Sequence, residues 1–269
     1  VNVAVVDGTG ATSDDDDATV QILGTPKFYT VDPGTDRIYG YTAGGGLIAT
    51  NSQLAGNTDA YGITGNAAGT KLWVLDLNKT VYVYNTSGTA LGMWTAGGLG
   101  ATPEGIALDI RFGQDFWIVD STTDKVYWYD NAGATLSGTV SSGANFPLTA
   151  TNDKAKGITT DGTTLWVVED DTANTVFLYT IVRDGQGTPT GLTTAGSWTL
   201  NSANATPTGI TLDPTGASQS LWVVDSGTDT VYEYGNGRTT ASGNGFLVAS
   251  FKLATPNANP QDIFDPFIA

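Results

Sequence analysis

The chain has 269 residues, 40% of them hydrophobic, and a net charge of −16 that rests on 27 acidic residues, of which only Glu104, Glu169 and Glu233 are glutamate. It contains no Cys and no His, which excludes a disulfide framework and thiolate metal sites and removes the commonest general base and zinc ligand. An acidic surface of this strength repels nucleic acid and anionic lipid, and no apolar run approaches the roughly 18 residues of a membrane helix, so neither a nucleic-acid partner nor membrane insertion is expected.

The first stretch, "VNVAVVDGTGATSDDDDATVQI", alternates apolar and polar residues around an acidic turn, and the spacing predicts a hairpin within residues 1–24. It resembles the final hairpin of Ig-like repeats in large bacterial surface proteins, which implies a tail or the remnant of a preceding module. A lone hairpin is marginal in water, so pairing with a neighbour's sheet, and self-association through residues 1–24, is the alternative use. Asp14, Asp15, Asp16 and Asp17 form the densest charge in the chain. They could hold a structural Ca²⁺ through hard oxygen ligands, although they lack EF-hand spacing and a solvated turn explains them too. No other cofactor is expected.

From residue 25 onward one pattern recurs. "FYTVDPGTDRIYGY" is followed by "LWVLDLNKTVYVY", "FWIVDSTTDKVYWY", "LWVVEDDTANTVFLY" and "LWVVDSGTDTVYEY". Aligned on the apolar block, Tyr29, Trp73, Trp117, Trp166 and Trp222 share one position at spacings of 44, 44, 49 and 56 residues. Between these hairpins a second element recurs: "YGITG", "PEGIALD", "KGITTD", "PTGITLD" and finally "PQDIFD". Each unit therefore reads as four short strands joined by turn chemistry, and a period in the forties with four strands per unit predicts propeller blades. In "LWVVD" both faces are apolar, which places that strand between neighbouring blades.

The pattern in "PEGIALD…FWIVDSTTDKVYWYDNAGATL" resembles the NHL-repeat family of β-propellers, over roughly residues 25–269. The resemblance implies an all-β, five-bladed β-propeller of four-stranded blades, on a fold that serves scaffolds, binding modules and a few enzymes. The phase of the repeat sets the closure: the chain enters at the second strand of a unit and leaves after a lone first strand. The C-terminal strand should therefore join the N-terminal blade. The rival is that residues 18–22 supply the missing strand and the C-terminus begins a sixth unit.

Asp32, Asp76, Asp120 and Asp225 end the Trp strand and face a tight turn, where a carboxylate can accept from turn N–H groups; Glu169 or Asp170 stands there in the fourth unit. Five copies argue for a structural role. The paired aromatics of the following strand read as packing between blades rather than a sugar platform. Trp94, Trp128 and Trp198 fall off the repeat and are expected to be exposed. Glu104 and Asp262 are asymmetric carboxylates beside the innermost strand, and are the candidates for cation binding or acid–base work at the channel.

These readings predict a non-catalytic extracellular or cell-surface module, not an enzyme, that acts as a scaffold, adhesion or assembly unit with protein partners. The alternative is a carbohydrate-binding, lectin-like propeller that uses Asn-rich loops such as "NSANATPTG" to hold glycans. A hydrolase or lyase built on Glu104 and Asp262 is a third reading.

Overall fold

The computed structural model describes residues 25–50, 56–66, 68–109, 111–112 and 114–266. The expected hairpin, the Asp14–Asp17 run and the rival strand at 18–22 lie outside these residues. The described chain is a ring of five antiparallel blades, a five-bladed β-propeller.

The first blade holds β1 (Phe28–Asp32), β2 (Arg37–Tyr41) and β3 (Leu47–Thr50). The second holds β4 (Ala60–Gly65), β5 (Lys71–Asp76), β6 (Thr80–Asn85) and β7 (Ala90–Gly97). The third is β8 (Pro103–Asp109), β9 (Asp115–Asp120) and β10 (Lys125–Tyr129), then β11 (Thr139–Ser141), which leaves for another sheet, and β12 (Ala144–Pro147). The fourth is β13 (Ala155–Thr160), β14 (Thr164–Glu169), β15 (Thr175–Arg183) and β16 (Pro189–Thr199). The fifth is β17 (Pro207–Leu212), β18 (Leu221–Asp225), β19 (Thr230–Gly235) and β20 (Phe246–Lys252), and β21 (Asp262–Phe264) ends the series.

The closure follows the phase of the repeat. Strand β21 pairs antiparallel with β1, through Tyr29↔Phe264, Thr30↔Ile263 and Val31↔Asp262, so the first blade has the order β21-β1-β2-β3. Its ends therefore come from both ends of the ring, and no blade is left with an open inner edge.

Five hydrophobic clusters fill the five interfaces between blades. Strands β1, β9 and β18 are buried along their whole length, as expected for strands with two apolar faces. Trp73, Trp117 and Trp166 are at most 2% exposed and Trp222 is 7% exposed.

The expectation for the off-repeat tryptophans is corrected, since Trp94 and Trp198 are 1% exposed and Trp128 is 6% exposed. Long connections from the next blade cover two of them. Residues 130–143 lay β11 in parallel on β7, with Met93 N donating to Leu136 O and Thr95 N to Gly138 O, over Trp94. Residues 236–245 do the same for β16, where Gly245 packs on Trp198 with no room for a Cβ. Trp128 donates its Nε1 to Asp115 Oδ2 at 3.2 Å.

On the lower face, where the innermost strands end, cations clamp one blade to the next. Arg183 lies 5.9 Å from the Trp117 ring and 2.5 Å from Asp109 Oδ2; Arg238 lies 5.6 Å from Trp166 and 3.1 Å from Asp161. Lys27 takes that place at the seam, 5.3 Å from the Trp222 ring and 2.5 Å from Asp265 Oδ2.

Candidate functional site at the channel mouth

The innermost strands β4, β8, β13, β17 and β21 pack side by side around the axis. Four of them share a local defect: the register with the next strand slips between Ala60 and Gly62, Pro103 and Gly105, Ala155 and Gly157, and Pro207 and Gly209. Each slip leaves one residue outside the ladder, and such a bulge re-aims its side chain. The bulged residues are Tyr61, Glu104, Lys156 and Thr208. The repeat keeps the bulge and varies the residue, so a five-fold frame carries an asymmetric set of groups at the mouth of the channel.

Three of these groups interact. Lys156 Nζ is 2.9 Å from Glu104 Oε1, which also accepts from Ser121 Oγ at 3.0 Å. The phenol of Tyr61 is held above its ordinary range, first by burial and then by the field of Glu104. Thr208 turns away and donates to Pro260 O at 2.8 Å. Beside them Ser121, Asp153, Lys154, Lys156 and Asp170 line an open cleft of about 380 Å³. Burial, the largest cause, raises Asp170, while Lys156 pulls it down. The neighbouring Glu169 is 3% exposed, and burial, then the charges of Asp171 and Asp153, pushes its carboxyl up to about 7. Asp171 is tied to Lys154 at 3.2 Å.

The repeated turn carboxylates are occupied. Asp32 Oδ1 accepts from Gly34 N at 2.7 Å, Asp76 Oδ1 from Asn78 N at 2.8 Å, Asp120 Oδ1 from Thr123 N at 3.0 Å and Asp225 Oδ1 from Thr228 N at 2.7 Å. In three turns the fourth residue after the turn carboxylate, Asp36, Asp124 or Asp229, has a left-handed φ of 52°, 51° or 49°, a conformation that Asp tolerates better than most. Tyr29, Trp73, Trp117, Trp166 and Trp222 all lie in the interfaces between blades.

Glu104 and Asp262 have different partners. Glu104 stands at the mouth, whereas Asp262 is 1% exposed with its oxygens bound to backbone N–H groups in the neck of the channel. Three of the loop asparagines are spent internally. Asn152, Asn204 and Asn257 are wholly buried, and their amides donate to the hydroxyls of Tyr179, Tyr234 and Tyr41. They are not available as sugar ligands. Among the described residues no three His, Cys, Asp or Glu side chains converge as a metal-binding group, and no helix is long and apolar enough to cross a membrane.

What sequence reasoning missed is the pairing of Lys156 with Glu104 and the company of Asp170. The signal was present: at the residue before "GI", the units carry Tyr61, Glu104, Lys156 and Thr208, four different chemistries in an otherwise uniform motif.

The ring defines the class, a five-bladed β-propeller. No family model matches the sequence, and no curated protein matches it either. Among solved structures, a chain of a nidogen/laminin complex is similar over 90% of this chain and 98% of that one, with 14% identity and a TM-score of 0.57. A 6-phosphogluconolactonase-like protein of Bacteroides uniformis matches over 84% of this chain and 66% of its own length, at 12% identity and a TM-score of 0.49. A periplasmic gluconolactonase of Pseudomonas aeruginosa matches over 84% and 65%, at 13% identity and a TM-score of 0.48. Similarity at these identities establishes the fold.

These neighbours correct the expectation of a non-catalytic scaffold, adhesion or assembly module without enzymatic activity. Structures named gluconolactonase and 6-phosphogluconolactonase stand among those similar to this chain. The carboxylate–lysine cluster at the mouth is an asymmetric set of groups from which chemistry can be built.

Proposed function

We propose that the chain is a hydrolase of carbonyl substrates that works at the channel mouth. The observation that carries this reading is Lys156, a cation set on a β-bulge, held by Glu104 at 2.9 Å and facing the cleft that Asp170 also lines. A fixed cation at a carbonyl oxygen stabilises the charge that develops there when water adds. Asp170, raised by burial, takes the proton of that water as general base and returns it to the leaving oxygen as the adduct collapses and the acyl C–O bond breaks. Glu104 holds Lys156 and is itself held by Ser121, and the Tyr61 phenol lies in the field of both charges.

Polyhydroxylated lactones are the first substrates to try, because the cleft is lined by charged and hydroxyl groups and the lactonase propellers are named for gluconolactone chemistry. An extracellular or cell-surface location, kinship with NHL-repeat propellers and a protein partner belong to the same reading. Composition, the repeat and the nidogen/laminin neighbour support these in turn. The test is hydrolysis of gluconolactone and a panel of esters, followed by proton release. Lys156→Met and Asp170→Asn should each lower kcat/KM by about 100-fold, the usual loss when one oxyanion donor or one general base is removed. No turnover on any member of the panel, or unchanged turnover in both variants, would overturn the assignment.

A further inference from the structure

At the position of Gly62, Gly105, Gly157 and Gly209, the fifth repeat carries Asp262. The four glycines have a steric reason. A Cβ on Gly157 would lie 2.7 Å from the Cα of Gly209, and one on Gly105 would lie 2.8 Å from Lys156 O. The backbones thus close tightly around the axis: a Cβ finds no room at Gly105, Gly157 or Gly209 and would meet Ile106 at 3.0 Å from Gly62, and Asp262 is the one of the five positions that carries a side chain. A Cβ on Gly209 would sit 2.4 Å from both Cα and Oδ1 of Asp262, so the carboxylate occupies the space that the neighbouring glycine leaves open.

The carboxylate meets donors there. Oδ2 accepts from Ile63 N at 2.9 Å, Oδ1 accepts from Ile263 N at 2.9 Å, and the N–H of Ile210 is a third donor. Those amides come from the second blade, the seam strand and the fifth blade. Several converging backbone N–H groups form an anion-binding concavity, in the way that backbone nests hold phosphates and sulfates. Burial is the larger effect and holds the carboxyl well above its ordinary range, while the three amides pull it down and favour the ionised form.

We propose that the neck of the propeller is an anion-binding site whose resident ligand is the chain's own Asp262 carboxylate, and which takes a small free carboxylate when that side chain is removed. The inference is independent of the hydrolase reading, because it rests on the Asp262 carboxylate and backbone amides and not on the side chains of Lys156 or Asp170. It assigns Asp262 a binding role in place of a catalytic one: the side chain bridges three blades across the axis at the point where the ring closes.

The experiment is chemical rescue of Asp262→Gly, which makes all five positions glycine. Its thermal midpoint should fall by 10 °C or more relative to the parent chain, on the order expected for losing several charge-assisted bonds in the core. Formate at about 100 mM should restore several degrees. Formamide, a neutral molecule of the same size, should restore none, and the parent chain and Asp262→Asn should respond to neither, because their site is filled. Rescue by formamide as large as that by formate would show that the site needs volume and not charge. Absence of any formate-specific shift would likewise overturn the proposal. If the glycine variant does not fold even with formate, the carboxyl ¹³C shift of Asp262 in the parent chain at pH 8 decides: an ionised group upholds the anion site, and a protonated one refutes it.

Discussion

Removing residues 260–269 should unfold the ring or leave it barely stable, because that segment supplies the inner strand of the seam blade. The loss can be built from the structure. Ile263 is 1% exposed, and burying such a side chain stabilises by about 2 kcal/mol; the half-buried Phe264 adds about 1 kcal/mol. The three ladder pairs of β21 with β1, together with the Gln261 N bond to Val31 O, lose hydrogen bonds worth about 0.5–1.5 kcal/mol each. The Asp262 carboxylate and the Asp265 partner of Lys27 leave as well, which strands a cation against the Trp222 ring. The total is of the order of 5 kcal/mol or more, against a whole-domain stability of roughly 5–15 kcal/mol. Urea titration followed by the fluorescence of the seven tryptophans measures it, with a peptide of residues 260–269 added back in trans as a control. A chain ending at Asn259 that melts at the parent midpoint would refute the closure and the reasoning built on it.

Three further outcomes are expected. Trp94→Ala should cost about 3–5 kcal/mol in chemical denaturation, as much as Trp117→Ala, because the indole packs 6.0 Å from Phe116 and 5.6 Å from Tyr129 across an interface between blades; a loss below about 1 kcal/mol would contradict that packing. Asp109→Ala should cost about 3 kcal/mol by leaving the largely buried guanidinium of Arg183 without its carboxylate, and Arg183→Met in the same chain should recover part of the loss in a double-mutant cycle. Stability should also rise on acidification. Asp265 and Glu169 are both raised to about 7, above the roughly 4 of an unfolded carboxyl, so the folded state binds protons that the unfolded state has released; their contribution is complete below pH 4 and is lost as pH rises toward and through 7. The melting midpoint should therefore be higher at pH 5 than at pH 8, and Asp265→Asn should flatten the difference; an equal slope in that variant would acquit the group.

The candidate site was half legible. Glu104 stood out in sequence because other copies of its position are not acidic; its partner was assigned to Asp262, whereas the structure pairs it with Lys156. Sequence alignment places both residues beside the innermost strand without telling a bulged residue, which reaches the mouth, from the next residue in line, which points into the neck. Three asparagines of the Asn-rich loops were hidden from sequence reading for a related reason. Polar residues in a loop read as exposed, yet here the loop crosses back over a tyrosine hydroxyl that needs a partner, so the asparagine is buried by the blade beneath it.

By itself the sequence determined the local and the periodic: strands with two apolar faces, tight turns closed by Asp, a repeat entered at its second strand, and hence five blades sealed by the last strand. Those features are written within a few residues of one another or repeat at a fixed interval. The tertiary structure alone decided what depends on the ring's curvature and on contacts between units. Trp94 and Trp198 are buried because a connection from the next blade is long enough to cover them, Arg183 and Arg238 meet the preceding blade's Asp, and one Asp fits where four glycines crowd the axis. Each of these joins residues tens of positions apart, and only closure of the ring brings them within a few ångströms.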